Sequence, residues 1–127
     1  MKNPSEHDEQ VSLFNWMRRL ENKYELLKFP FHVPNGGFRH ISTAMRLKAE
    51  GVKPGVSDIL ILVPMHGFHG CIIEMKVGKN KPTPDQRQFL DDCHNFGYSD
   101  HVCYSWLEAA RIICQYFDLP LDIVPED

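Results

Sequence analysis

No apolar run among these 127 residues approaches the roughly 20 needed to cross a bilayer as a helix. The opening residues, Met1-Lys2-Asn3-Pro4-Ser5-Glu6, lead straight into a polar segment, with no apolar stretch of the kind that marks a secretory signal. The four cysteines, at 71, 93, 103 and 114, include no CxxC pair. A disulfide framework is therefore not indicated, and reduced thiols in a cytoplasmic protein are the natural reading. The eight glycines form neither a phosphate-cradling loop nor a dinucleotide fingerprint. No Ser/His/Asp order, internal repeat or low-complexity tract is present. His66-x-x-His69-x-Cys71 brings three zinc-type ligands close in sequence, but within a short loop and with no adjacent fourth.

What remains is the composition of one ordinary globular domain spanning residues 1–127, 43% apolar and large enough for a real core. The net charge is −3, which by itself speaks against nucleic acid. The distribution speaks for it, because residues 39–87 hold eight Lys/Arg against four Asp/Glu. A local basic region of this kind is the footprint of a phosphate-binding surface, and its plain alternative is a solvated face.

Ser5 predicts a helix N-cap, with acids at 6, 8 and 9 placed where the helix dipole favours them. The helix is expected over Glu6 to about Leu27, with an apolar stripe of Leu13, Met17, Leu20, Tyr24 and Leu27. At about 100° per residue, Glu6 falls on that stripe and should point inward. Lys28 to Val33 reads as a short strand and Pro34-Asn35-Gly36-Gly37 as a turn. Ile41 to Glu50 reads as a helix closed by Gly51. Strands are predicted over 58–63 and 71–77, joined as a hairpin through Pro64 to Gly70. Thr83-Pro84-Asp85-Gln86 is a helix start with cap, first-turn proline and capping-box glutamine. A strand at 101–104 and a helix at 106–117 follow, then an acidic, proline-containing tail. This order gives an α/β fold, a small mixed four-stranded sheet flanked by helices.

The charges that interrupt the apolar strands carry the chemistry. Asp58 opens Ile59-Leu60-Ile61-Leu62-Val63, and Cys71-Ile72-Ile73 runs into Glu74-Met75-Lys76. Side chains alternate along a strand, so Glu74 and Lys76 share a face and Met75 points to the other. Acids and a lysine at the ends of buried strands are costly unless paired or bound to a metal. Asp58, Glu74 and the backbone carbonyl of Met75 offer hard oxygens for Mg²⁺ or Mn²⁺, ions suited to activating water for phosphodiester hydrolysis. Lys76 can orient that water or stabilise charge developing on the phosphate. An inward-facing Glu6 could reach the same ion directly or through water. The plain alternative is a Glu74–Lys76 ion pair on an exposed sheet edge. Asn35 and Arg39 could contact phosphate or merely shape the turn, and Lys79 and Lys81 could hold a DNA backbone.

Gly55-Val56-Ser57-Asp58, Ile73-Glu74-Met75-Lys76 and Thr83-Pro84-Asp85-Gln86 together resemble the VRR-NUC domain, a branch of the PD-(D/E)xK nucleases. Glu6-His7-Asp8-Glu9-Gln10 and Asn35-Gly36-Gly37-Phe38-Arg39 resemble small stand-alone, phage-type members. The likeness covers residues 5 to about 104 and departs mildly at Ser57, where many relatives have proline. It implies a restriction-endonuclease-like core and a metal-dependent DNA endonuclease. Glu6, Asp58 and Glu74 would be its acidic site residues, Lys76 its catalytic lysine, and Gln86 a glutamine beside the site. Stand-alone members resemble homodimeric Holliday junction resolvases acting on branched DNA. A flap or nicking endonuclease, and a non-catalytic DNA-binding module of the same fold, are the alternatives.

Overall fold

The computed structural model describes residues 4–34 and 40–126. Helix α1 spans Glu6–Leu20 and is followed by a 3₁₀ turn, Glu25–Lys28, and the two-residue strand β1, Phe31–His32. Helix α2 is Ile41–Ala49, strand β2 is Ile59–Ile61 and strand β3 is Cys71–Met75. Helix α3, Pro84–Asn95, leads to strand β4, Ser99–Cys103, and helix α4, Trp106–Phe117. A second 3₁₀ turn, Leu121–Ile123, follows.

The four strands form one sheet in the order β1-β2-β3-β4. β1 pairs antiparallel to β2 and β2 antiparallel to β3, whereas β3 and β4 run parallel. A parallel pair needs a crossover, and α3 supplies it. The sheet is mixed for that reason, as the element order predicts.

One face of the sheet makes the main core. Ile59, Ile61, Cys71, Ile73, Met75 and Cys103 pack there against Leu13, Trp16 and Met17 of α1 and Ala109, Ala110 and Ile113 of α4. Trp16 donates its indole N–H to the Ile123 carbonyl at 2.9 Å, tying α1 to the closing turn. Helix α3 lies along β4 with Leu90 buried. Its Phe89 and Cys93 line a small apolar cavity with Leu60 and Ile72. Every residue of β3 is buried, so the strand that carries Glu74 is the centre of the molecule and not an edge.

Both anticipated caps are present. The Ser5 hydroxyl accepts from the Asp8 N–H, and the Asp8 carboxylate accepts from the Ser5 N–H. The Thr83 and Gln86 side chains do the same at α3, with Pro84 in the first turn.

The first helix is shorter than its apolar stripe predicts. It stops at Leu20, where the N–H groups of Lys23 and Tyr24 both bond to the Leu20 carbonyl and the chain tightens. The 3₁₀ turn that follows still buries Leu27, so the stripe continues although the α-helix does not. The strand expected over 28–33 shrinks to Phe31–His32, because Leu26 to Phe29 is taken up by that turn and Pro30 has no N–H to give a ladder. The strand expected over 58–63 is confined to 59–61.

Candidate active site

Ile59 lies opposite Ile73 in the β2–β3 ladder. The next antiparallel step places Asp58 opposite Glu74, and directly opposed residues project from the same face. Asp58 Oδ2 accepts the Met75 backbone N–H at 2.7 Å, fixing the carboxylate against the strand it faces. The Asp58 carbonyl accepts from Val33 N–H at 2.9 Å and from His32 Nδ1 at 2.8 Å. Asp58 is thus held at its backbone by β1 and at its side chain by β3.

Glu74 is 1% exposed, and its Oε1 is buried with no hydrogen-bond partner among the described residues. Its acid is pushed up to about 9, first by burial, then by the hydrogen bond and negative charge of Asp58. Lys76 acts in the opposite direction, and Glu6 adds to the repulsion. The two carboxyl groups are close enough to share a proton.

Lys76 is 7% exposed and lies just beyond β3. Its backbone N–H donates to the Cys103 carbonyl at 2.9 Å, prolonging the β3–β4 pairing past Met75. Among the described residues no ion pair within 4.0 Å joins Glu74 to Lys76, and both are buried. The exposed-edge ion pair is therefore not what this sequence makes. Met75 points into the opposite core face, as alternation requires.

Glu6 is half-buried in the first turn of α1 and contributes to the field at Glu74, which agrees with its place on the inward stripe. Gln86 is committed in part to structure, because its Oε1 accepts the Thr83 N–H at 2.8 Å. Only its amide nitrogen is left to serve a ligand. Lys79 and Lys81 are exposed in the segment after β3. Asn35 and Arg39 lie outside the described residues.

The donor set fits a hard divalent ion. Two facing carboxylates, one with an orphaned buried oxygen, form a site whose negative charge lacks a cation beyond Lys76 among the described residues. Among the described residues no group of three or more His, Cys, Asp or Glu side chains is placed to hold a metal ion. An open site of one or two carboxylates completed by water and substrate oxygens is how Mg²⁺ is ordinarily held. The zinc-like triplet separates: His66 turns to the Tyr116 carbonyl and Asp118, His69 stacks near Tyr98, and Cys71 is core.

Two features of the site have no signal in the sequence. His32 reaches the Asp58 carbonyl only because of the β1–β2 register, for which a two-residue strand leaves almost no periodic pattern. Ser57 is fully buried and its Oγ has no partner among the described groups, a costly placement for a hydroxyl.

An aspartate before one strand and a Glu-x-Lys at the end of its antiparallel neighbour, in a mixed sheet flanked by helices, define a nuclease domain of the PD-(D/E)xK type. A profile of the VRR-NUC domain matches residues 2–106, and the chain belongs to that family. A solved structure of a VRR_NUC domain protein matches with a TM-score of 0.79 and 28% sequence identity, covering 94% of this chain and 93% of the other. No curated protein matches the sequence. The family generally uses divalent metals and its substrate is DNA. No helix among the described residues is long and apolar enough to cross a membrane.

Proposed function

We propose that this chain is a Mg²⁺- or Mn²⁺-dependent, structure-specific DNA endonuclease acting on four-way junctions as a stand-alone, phage-type homodimer. The observation that carries the catalytic part is the pairing of Asp58 with Glu74 at the ends of β2 and β3, with the buried Lys76 beside them.

Asp58, Glu74 and the Met75 carbonyl would hold the ion, with Glu6 reaching it directly or through water. When bound, the ion supplies Lewis-acid stabilisation of the phosphate and a nucleophilic water at neutral pH. Lys76 stands beside the reacting phosphate, where it orients the attacking water and offsets the charge gained by the phosphoryl oxygens. The bond from Met75 N–H to Asp58 Oδ2 holds that carboxylate in place without further reorganisation. Gln86 serves the catalytic site through its amide nitrogen, and Lys79 and Lys81 hold the DNA backbone, together with Asn35 and Arg39.

The family's stand-alone members motivate the junction. A twofold dimer presents two sites, one for each of two symmetry-related strands. A substrate panel tests this part: a labelled four-way junction against a 5′ flap, a nicked duplex and a linear duplex. Paired symmetric nicks in the junction support it. Cutting restricted to flaps or nicked duplex keeps the nuclease and removes the junction preference.

A further inference from the structure

A cleft of about 660 Å³ opens between the outer face of α1 and the segment that carries β1. Its walls include His7, Gln10, Phe14 and Arg18 on α1, and Lys28 and His32 opposite them. We propose that this cleft seats a single-stranded segment of the DNA substrate leading to the catalytic carboxylates, with His32 as the positioning residue between them. The proposal rests on the nuclease reading and adds that the strand to be cut is unpaired where it enters the site, as at a branch point.

Charge is the first reason. The chain as a whole is acidic, at −3, yet Glu21 is the single acid among the described residues lining the cleft. Arg18 and Lys28 are cationic. The cleft therefore runs against the charge of the rest of the molecule, as a backbone-tracking groove does.

The second reason is shape. The Arg18 guanidinium lies over the Phe14 ring, 5.9 Å from its centroid. Phe14 and Arg18 line the cleft together, and a ring with a cation near it is a surface on which a nucleobase stacks regardless of its identity. Phe31, 40% exposed, stands on the facing wall. The volume falls in the range of roughly 300–1,000 Å³ that holds a small molecule, which suits one or two nucleotides. A duplex is too bulky to enter.

The third reason is continuity with the catalytic residues. Glu6 lies one helical turn before Gln10 on α1. On the other wall, His32 Nδ1 donates to the carbonyl of Asp58 at 2.8 Å. That bond fixes the tautomer of a neutral ring and leaves Nε2 as the ring atom open to a ligand. A strand held in the cleft thus touches the residue that holds the backbone of Asp58.

The test is equilibrium binding of a fluorescein-labelled oligothymidylate of 15 nucleotides to the full chain in EDTA, where no cleavage intervenes. Wild type is compared with Arg18→Ala/Lys28→Ala, with Phe14→Leu and with Lys23→Ala, a cation outside the cleft. The proposal predicts at least about 10-fold weaker binding for the double variant. Its salt dependence should be shallower by about 1.4 in log–log slope, at roughly 0.7 for each phosphate no longer neutralised. Phe14→Leu should weaken binding at least about 5-fold, the low end of the effect of removing a base–aromatic stack. Lys23→Ala should bind as wild type does. Thermal melts of each variant separate weakened binding from a damaged fold, and the salt slope is a readout that misfolding alone does not imitate. For the positioning role, His32→Ala should lower kcat for junction cleavage with KM nearly unchanged, and His32→Asn, which keeps a side-chain N–H donor, should restore part of it.

Unchanged affinity and slope in Arg18→Ala/Lys28→Ala overturn the proposal, as does absence of binding by wild type or displacement of the oligonucleotide equally well by blunt duplex. Lys76→Ala keeps the two readings apart. If it still cuts DNA while the cleft variants lose binding, the catalytic reading fails and the cleft stands. If it is inactive while the cleft variants bind normally, the reverse holds.

Discussion

Asp58 and Glu74 face each other one step beyond the Ile59–Ile73 pair, and the backbone N–H of Met75, the residue after Glu74, donates to Asp58. One strand therefore both opposes the aspartate with a like charge and holds it by a hydrogen bond. Such an arrangement stores unfavourable electrostatics for a ligand to relieve, which is the usual stability cost of a working site.

That cost is measurable without any substrate. Folding raises the Glu74 acid from 4.5 to about 9 through burial and Asp58. The folded state holds this proton more tightly than the unfolded state. The associated stability is fully present below pH 4.5 and is lost as pH rises through about 9. In EDTA, Glu74→Gln should therefore melt close to wild type near pH 4.5 and several degrees higher at pH 8, a gain of at least about 1 kcal/mol. Melting curves at both pH values check this, and equal melting temperatures at pH 8 would contradict it.

Gly55 tests how the loop before Asp58 is seated. Its φ is +89°, and a Cβ there would collide with the Asp85 carbonyl oxygen at the start of α3. Gly55→Ala meets both an unfavourable backbone conformation and a backbone clash that no rotamer relieves. The expected loss is about 2–4 kcal/mol in urea unfolding, with activity falling as Asp58 is displaced. A loss below about 0.5 kcal/mol would show that the loop moves freely.

The thiols report on the core. Cys71 and Cys103 are pushed up to about 12 by burial, and Cys114 to about 11. Cys93, on α3, is only half-buried, though its thiol is also raised. Native protein should release about one equivalent of thiol to a disulfide reagent at pH 8, and four in denaturant. The three buried thiols also set an alkaline limit, since their contribution to stability is whole below pH 9 and lost as pH rises toward 12. Substitution of Cys93→Ser should abolish the native-state reaction.

Much of the fold was legible because its signals are local. The Thr83-Pro84-x-Gln86 cap, the Ser5 cap and the glycine after α2 each describe their own few residues, and each element formed where its signal lies. Asp58, Glu74 and Lys76 could be singled out because charges interrupting apolar strands need a reason. What was not legible depends on pairing. The end of α1 at Leu20 is set by a tightened turn within a continuous apolar stripe, and the bond from His32 to Asp58 exists only in the folded register. The buried hydroxyl of Ser57, without a partner among the described residues, is likewise a property of packing.

The central claim is that Asp58, Glu74 and Lys76 form a metal-dependent nuclease centre. The most direct measurement is cleavage of a labelled four-way junction by wild type and Lys76→Ala in Mg²⁺, in Mn²⁺ and in EDTA, with binding measured in parallel. Wild type should cut only with a divalent ion. Lys76→Ala should lose at least about 100-fold in rate, the scale set by removing an electrostatic catalytic group, while binding DNA nearly as wild type does. Cleavage that survives EDTA, or a Lys76→Ala variant keeping more than about a tenth of the wild-type rate, would contradict the account.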